Sequence, residues 1–133
     1  MIYLDTSVAL LSLLGQSGAD EAARLILDAR ATEGLVSSCL LTVEMARAAH
    51  RERFDIRVVD EFIAGVELVE IGPDVIARAS ALTGELKSLD AIHLATATLL
   101  DDPRHPVTVL THDARLADAA RSRGLSAIDP LGS

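Results

Sequence analysis

With 133 residues, 50% apolar and 24% charged, the chain has the length and apolar content for one α/β domain with its own core; two domains and a disordered chain are both excluded. A lone cysteine, Cys39, rules out an internal disulfide, and neither a basic leader nor an apolar run of membrane-spanning length is present, so a cytoplasmic protein away from the membrane is expected. The net charge of −8 argues against an unaided nucleic-acid-binding face, and one Tyr, two Phe and no Trp leave no platform on which single-stranded bases would stack.

Ile2 to Leu4 reads as a short buried strand that ends at Asp5, followed by an apolar helix from Thr6 to Leu14 that Gly15 to Gly18 breaks. Residues 19–31 place Ala22, Leu25, Ile26 and Ala29 on one helical stripe. After Gly34, Leu35 to Ser38 is expected as a second strand and Leu40 to Arg51 as a helix that contains Glu44. Val59, Phe62, Ile63 and Val66 give helical spacing over 55–66, and residues 67–71 form a third strand closed by Gly72 and Pro73. A helix is expected over 75–86, then another over 89–100 with Ser88 as its cap and Asp101, Asp102 and Pro103 as its stop. Val107 to Leu110 is a fourth, continuously apolar strand of the kind covered on both faces. Asp113 to Arg123 is a helix stopped by Gly124, and 126–128 adds a last strand.

Strand and helix alternate along the whole chain, with no repeat, linker or low-complexity tract, so residues 1–133 should form a single α/β domain. Its centre is a mostly parallel sheet of four to five strands flanked by helices. In such sheets the functional crevice lies beyond the carboxyl ends of the strands, where Asp5 and Asp113 fall.

Four acids stand in distinctive surroundings: Asp5 in LDTS, Glu44 in LLTVEMARA, Asp90 in SLDAIHLATA and Asp113 in THD. DTS and THD are weak signals alone, whereas LKSLDAIHLATA is far more specific, and the order and spacing of the four add to it. Together they resemble the PIN-domain family over essentially the whole chain, with the likeness strongest to VapC-type toxins of bacterial toxin–antitoxin pairs. The resemblance implies a PIN-like fold and a metal-dependent endoribonuclease in which Asp5, Glu44, Asp90 and Asp113 form an acidic quartet that coordinates Mg²⁺ or Mn²⁺. It further implies an RNA substrate, a cognate antitoxin that wraps an apolar groove, and a homodimer. Lys87 stands where many members carry Arg.

The chemistry of the residues agrees with that implication. Carboxylate oxygens are hard ligands suited to Mg²⁺ or Mn²⁺, and the Cys and His groupings that favour zinc are missing. Mg²⁺ keeps several waters and needs only one or two carboxylates at roughly 2.0–2.1 Å, so four acids can serve one ion or share two. A cation activates water against the phosphodiester, which makes a protein nucleophile unnecessary; Asp90 and Asp113 are the candidates to orient that water. Bound cations would also reverse the local field of a strongly acidic chain.

Plainer roles exist for each residue. Asp5, Asp113 and Asp90 all fall at helix starts, where an acid caps amides and meets the positive end of the dipole. Thr6, Ser7, Ser38 and Thr111 can hydrogen-bond the acids or serve as turn and cap residues. His93 reads as a hydrogen-bonded core residue outside the site and His112 as exposed, while His50 and His105 carry no signal. Arg47 and Arg51 either extend a basic strip from Glu44 or form solvated ion pairs. Phosphoryl transfer through an aspartyl phosphate is disfavoured, because Ser7 stands where a second Asp is wanted and THD supplies no lysine. The main rival to a nuclease is a non-catalytic RNA- or protein-interaction module.

Overall fold

The structure is a computed structural model and describes residues 1–84 and 86–132. Within those residues the chain forms five strands and seven helices: β1 (Ile2–Leu4), α1 (Thr6–Leu13), α2 (Ala19–Ala31), β2 (Leu35–Ser38), α3 (Leu40–Glu52), α4 (Ile56–Ile63), β3 (Glu67–Val69), α5 (Pro73–Ala81), α6 (Ser88–Leu100), β4 (Thr108–Leu110), α7 (Ala114–Ser122) and β5 (Ser126–Ile128). All five strands are parallel, in the order β3-β2-β1-β4-β5. The sheet is thus parallel throughout, at the upper end of the expected strand number.

Pleating divides the core between two layers. Side chains on a strand alternate in direction, so Leu4, Leu35 and Leu110 join α1, α2, α3 and α4 through Val8, Ile26, Leu41, Met45 and Val59. Tyr3, Val36 and Val109 point the other way, onto Leu94 and Ala97 of α6 and Leu116 and Ala120 of α7. Both faces are covered, which explains why the central strands carry no polar alternation. Helix α6 is buried on several sides, through Ala91, His93, Leu94, Ala95, Thr96 and Ala97, and this is why its sequence shows little amphipathic pattern.

Several boundaries differ from the sequence expectation. The helix expected over 55–66 ends at Ile63: Asp55 stays outside and accepts from the Arg57 amide, while Val66 is buried in the loop before β3. Helix α5 starts earlier, with Pro73 in its first turn where a missing N–H costs nothing, and ends at Ala81. Leu82 and Leu86 pack on the α6–α7 layer from outside any helix, so their spacing imitated a helical stripe. Ser88 is the first residue of α6 rather than its cap; Lys87 flanks the helix in extended conformation and no side chain caps it.

The strand order positions the site. From β1 the chain builds outward to β2 and β3, then crosses back to β4 on the other side of β1 and finishes at β5. The direction of growth reverses between β1 and β4, and at such a switch point the connections leave to opposite faces and open a crevice at the carboxyl edge. Asp5 follows β1 and Thr111 follows β4; Leu4 pairs with Leu110, and the Asp5 amide donates to the Leu110 carbonyl at 3.0 Å.

Candidate functional site

The buried carboxylate at the switch point is Asp5, only 4% exposed. It occupies the cap position of α1, yet its side chain makes no capping bond. Instead Oδ2 accepts from Ser7 Oγ at 2.6 Å and from Thr111 Oγ1 at 2.8 Å. Those hydroxyls are themselves anchored, since Ser7 Oγ accepts from the His112 amide and Thr111 Oγ1 from the Asp113 amide. Two donors, one from the first turn of α1 and one from the loop after β4, hold the orientation of an acid whose desolvation would otherwise be costly.

Glu44 reaches the same end of the sheet from α3, whose apolar face of Leu41, Met45, Ala48 and Ala49 is locked in the core. Its Oε1 accepts from Thr6 Oγ1 and is bonded to His93 Nε2, both at 2.7 Å. Burial pushes the Glu44 carboxyl up, but the bonds to His93 and Thr6 and the nearby imidazole outweigh it and leave the group below its ordinary value.

Asp90 lies in the first turn of α6 and is partly exposed. Burial raises its carboxyl, and the charges of Asp5, Asp113 and Glu44 raise it further against a smaller opposing influence of His93. Four acids that are far apart in the chain therefore share one field. Asp113 contributes to that field while also capping α7, with Oδ1 accepting from the Arg115 amide at 2.9 Å and the Leu116 amide at 3.4 Å. The capping role thus applies to Asp113 and fails for Asp5.

A cleft of about 340 Å³ opens beside Asp90 and Asp113, lined also by Lys87, Ala114 and Arg115. A larger one of about 460 Å³, around Arg78, Leu82, Asp101 and Arg123, includes none of the four acids. Of the hydroxyls, Thr6, Ser7 and Thr111 bond the carboxylates directly, whereas Ser38 receives the Leu40 amide as an ordinary turn residue. Arg47 and Arg51 are exposed on α3, and Arg51 pairs with Glu52. His112 is exposed, as its position suggested, and contacts Asp129 at 3.0 Å.

His93 is where the sequence reading fell short. It is a hydrogen-bonded core residue, 1% exposed, but its bonds run to Tyr3 Oη, Glu44 Oε1 and Thr6 Oγ1, and Nε2 lies 3.9 Å from Asp5 Oδ1. The signal available was its position one helical turn after Asp90; what could not be read was the direction of that face. Burial pulls the imidazole down, while the bond to Glu44 and the charges of Asp5, Glu44 and Asp90 lift it above its ordinary value. Burial also pushes the Tyr3 phenol up, so it stays protonated.

The donor set matches a hard cation in kind, being carboxylate oxygens backed by hydroxyls. Its closure is incomplete: among the described residues no three or more His, Cys, Asp or Glu side chains are gathered so as to hold one metal ion.

The model of the PIN domain family matches residues 2–122, nearly the whole chain and all four acids. The chain belongs to the PIN domain family. Among PIN-domain relatives, it is 33% identical over 132 residues to Ribonuclease VapC35 of Mycobacterium tuberculosis, covering 98% of this chain and 97% of that protein. It is 35% identical over 133 residues to Ribonuclease VapC46 of the same organism, covering 97% of each. The fold is shared with a toxin–antitoxin complex from Klebsiella pneumoniae (TM-score 0.73, 21% identity, 98% of each chain). It is shared also with FitAcB from Neisseria gonorrhoeae (TM-score 0.71, 19% identity, 98% of this chain and 99% of that one). Among the described residues of this PIN domain, no helix is long and apolar enough to cross a membrane.

Proposed function

We propose that this PIN domain is a Mg²⁺- or Mn²⁺-dependent endoribonuclease and the toxin of a toxin–antitoxin pair. The observation that carries the reading is the meeting of the acids at the switch-point crevice of a parallel sheet: His93 Nε2 lies 2.7 Å from Glu44 and 3.9 Å from Asp5, and Asp90 and Asp113 line one cleft. The relatives named ribonucleases support the substrate class, and the toxin–antitoxin complexes among the structural neighbours support the partner.

Asp5, Asp90 and Asp113, with Glu44, would hold the cation. When bound, Mg²⁺ or Mn²⁺ supplies Lewis-acid stabilisation of phosphate charge and a water of lowered pKa. The chain's own groups do the rest. Ser7 and Thr111 fix Asp5 so that its remaining oxygen is free to bind, and Thr6 does the same for Glu44. Asp90 or Asp113 accepts a proton from the attacking water. Lys87 and Arg115, which line the cleft beside those two acids, seat the neighbouring phosphate. Exposed apolar side chains on α2, α3 and α4, namely Leu27, Val43, Ile56 and Val58, offer surface to an antitoxin or to a second copy of the chain.

The test is cleavage of a generic RNA by purified protein with Mn²⁺. Asp5→Asn keeps an acceptor for Ser7 and Thr111 but removes the charge, so folding should survive while cleavage falls by roughly 100-fold or more, as loss of a site ligand does. Asp90→Asn should behave alike. The open arrangement of the acids favours one competing reading, a non-catalytic interaction module. RNA left intact by wild type with Mn²⁺ would decide for that module, and RNA cut equally by wild type and both variants would remove Asp5 and Asp90 from the reaction.

A further inference from the structure

We propose that His93 is a positioning residue for Glu44, its ring held between Tyr3 and the carboxylate and its tautomer set by the carboxylate. The proposal rests on the nuclease reading above and deepens it.

Proton accounting assigns the ring. The Ser38 amide donates to Tyr3 Oη at 3.2 Å, so the phenol oxygen already receives one hydrogen bond and has its own single proton to place. His93 Nδ1 lies 2.7 Å from that oxygen. On the other side of the ring, Nε2 lies 2.7 Å from Glu44 Oε1, a carboxylate oxygen that already accepts from Thr6 and has no proton to give. In the neutral ring the consistent arrangement is therefore Tyr3 O–H donating to Nδ1 and Nε2–H donating to Glu44. A further proton on the ring would go to Nδ1 and leave the Nε2–H bond to Glu44 in place.

Geometry gives this chain of bonds its purpose. Tyr3 is fully buried and His93 nearly so, so the ring cannot swing to water without opening the core between β1 and α6. Oε1 of Glu44 is tied by two donors, and Oε2 has no hydrogen-bond partner among the described residues, leaving it the oxygen available to a cation. The ring also stands between two acids, with Asp5 Oδ1 3.9 Å from the same Nε2, and a donor there eases the approach of one carboxylate to another. Strand β1 thus leads directly into Asp5 and, two residues earlier, supplies the phenol that braces the ring that aims Glu44.

Variants of the full chain test it. His93→Leu removes the donor; His93→Gln places an amide N–H near the position of Nε2; Glu44→Ala removes the carboxylate that holds the proton on Nε2. With Mn²⁺ and RNA, His93→Leu should lower kcat about 10- to 100-fold with KM little changed, and His93→Gln should recover most of that loss. In a Glu44→Ala background, His93→Leu should cost nothing more, because its effect runs through Glu44. The same loss with and without Glu44, or no recovery by Gln in a protein of unaltered melting temperature, would overturn the proposal. Independently of RNA and metal, long-range ¹H–¹⁵N spectra should show the neutral His93 ring protonated at Nε2, with Glu44→Ala giving a tautomer mixture because only hydroxyls then lie within hydrogen-bond reach of the ring nitrogens. A ring protonated at Nδ1 in the wild type overturns the assignment outright. Should wild type cut no RNA, the nuclease reading falls while the spectrum still decides the tautomer.

Discussion

Two acids of the quartet are shifted in opposite senses, Asp90 upward and Glu44 downward, which separates them experimentally. The Asp90 carboxyl is raised, chiefly by burial and then by its acidic neighbours, so its protonated form suits the fold. Its contribution is favourable below the unfolded carboxylate pKa of about 3.9 and is lost as pH rises through the higher folded value. At neutral pH the ionised Asp90 therefore strains the metal-free protein, and Asp90→Asn should relieve it. Because Asp90 is partly exposed, solvent screening limits the gain to below about 1 kcal/mol, a rise of roughly 2–4 °C in melting temperature. Thermal unfolding in EDTA should show the rise at pH 7.5 and its disappearance near pH 3.5. Glu44 has the reverse sign: its lowered carboxyl stabilises the fold above the unfolded pKa, and that benefit fades as pH falls through the folded value. Equal melting temperatures for Asp90→Asn and wild type across the range would mean that the acids do not feel one another.

The helices carry functional groups in two different ways, and mutations can tell them apart. At α7, Asp113 caps two amides and also adds to the acidic field. Asp113→Ser retains an oxygen at the cap and removes the charge, so it should melt within about 0.5 kcal/mol of wild type while losing RNA cleavage. Asp113→Ala should lose activity and also about 1 kcal/mol of stability. Full activity in the Ser variant would reduce Asp113 to a helix cap. On α3, Glu44 is followed at helical spacing by Arg47, which is exposed and has no ion-pair partner among the described residues. If α3 lies along the RNA, Arg47→Ala should flatten the dependence of log affinity on log salt by about 0.7, the contribution of one phosphate contact on a single strand. An unaltered slope removes α3 from the RNA path.

For the molecule as a whole, a net charge of −8 would set the proposed RNA substrate against a repulsive surface. Divalent cations at the quartet are the natural remedy, so RNA affinity should depend on them even when no cleavage occurs. Binding measured with Ca²⁺ in place of Mg²⁺ should exceed binding in EDTA by roughly tenfold or more, in line with the ionic dependence of phosphate contacts. Equal affinity with and without Ca²⁺ would mean that RNA is held elsewhere, or by a basic partner. The architecture that makes this possible is the reversal of strand order at β1, which sends α1–α4 to one face and α6–α7 to the other and leaves Asp5 in the crevice between.

The alternation of strands and helices, the parallel sheet and the residues inside it were legible in the sequence, because burial of a strand on both faces and of a helix on one leaves a periodic mark. Boundaries were less legible where Leu82 and Leu86 kept a helical spacing outside any helix, since packing against α6 and α7 rewards apolar side chains whatever the backbone does. The acids stood out by their local motifs, but their surroundings did not: Asp5 and Asp113 look alike as helix-start acids, and only the tertiary structure sets Ser7 and Thr111 against a buried Asp5 while Asp113 caps α7. His93 was legible as buried and bonded, but not as the partner of Glu44. A ring between Tyr3 and Glu44 spans separations of 90 and 49 residues, and such a meeting depends on strand order and helix rotation, which no local pattern encodes.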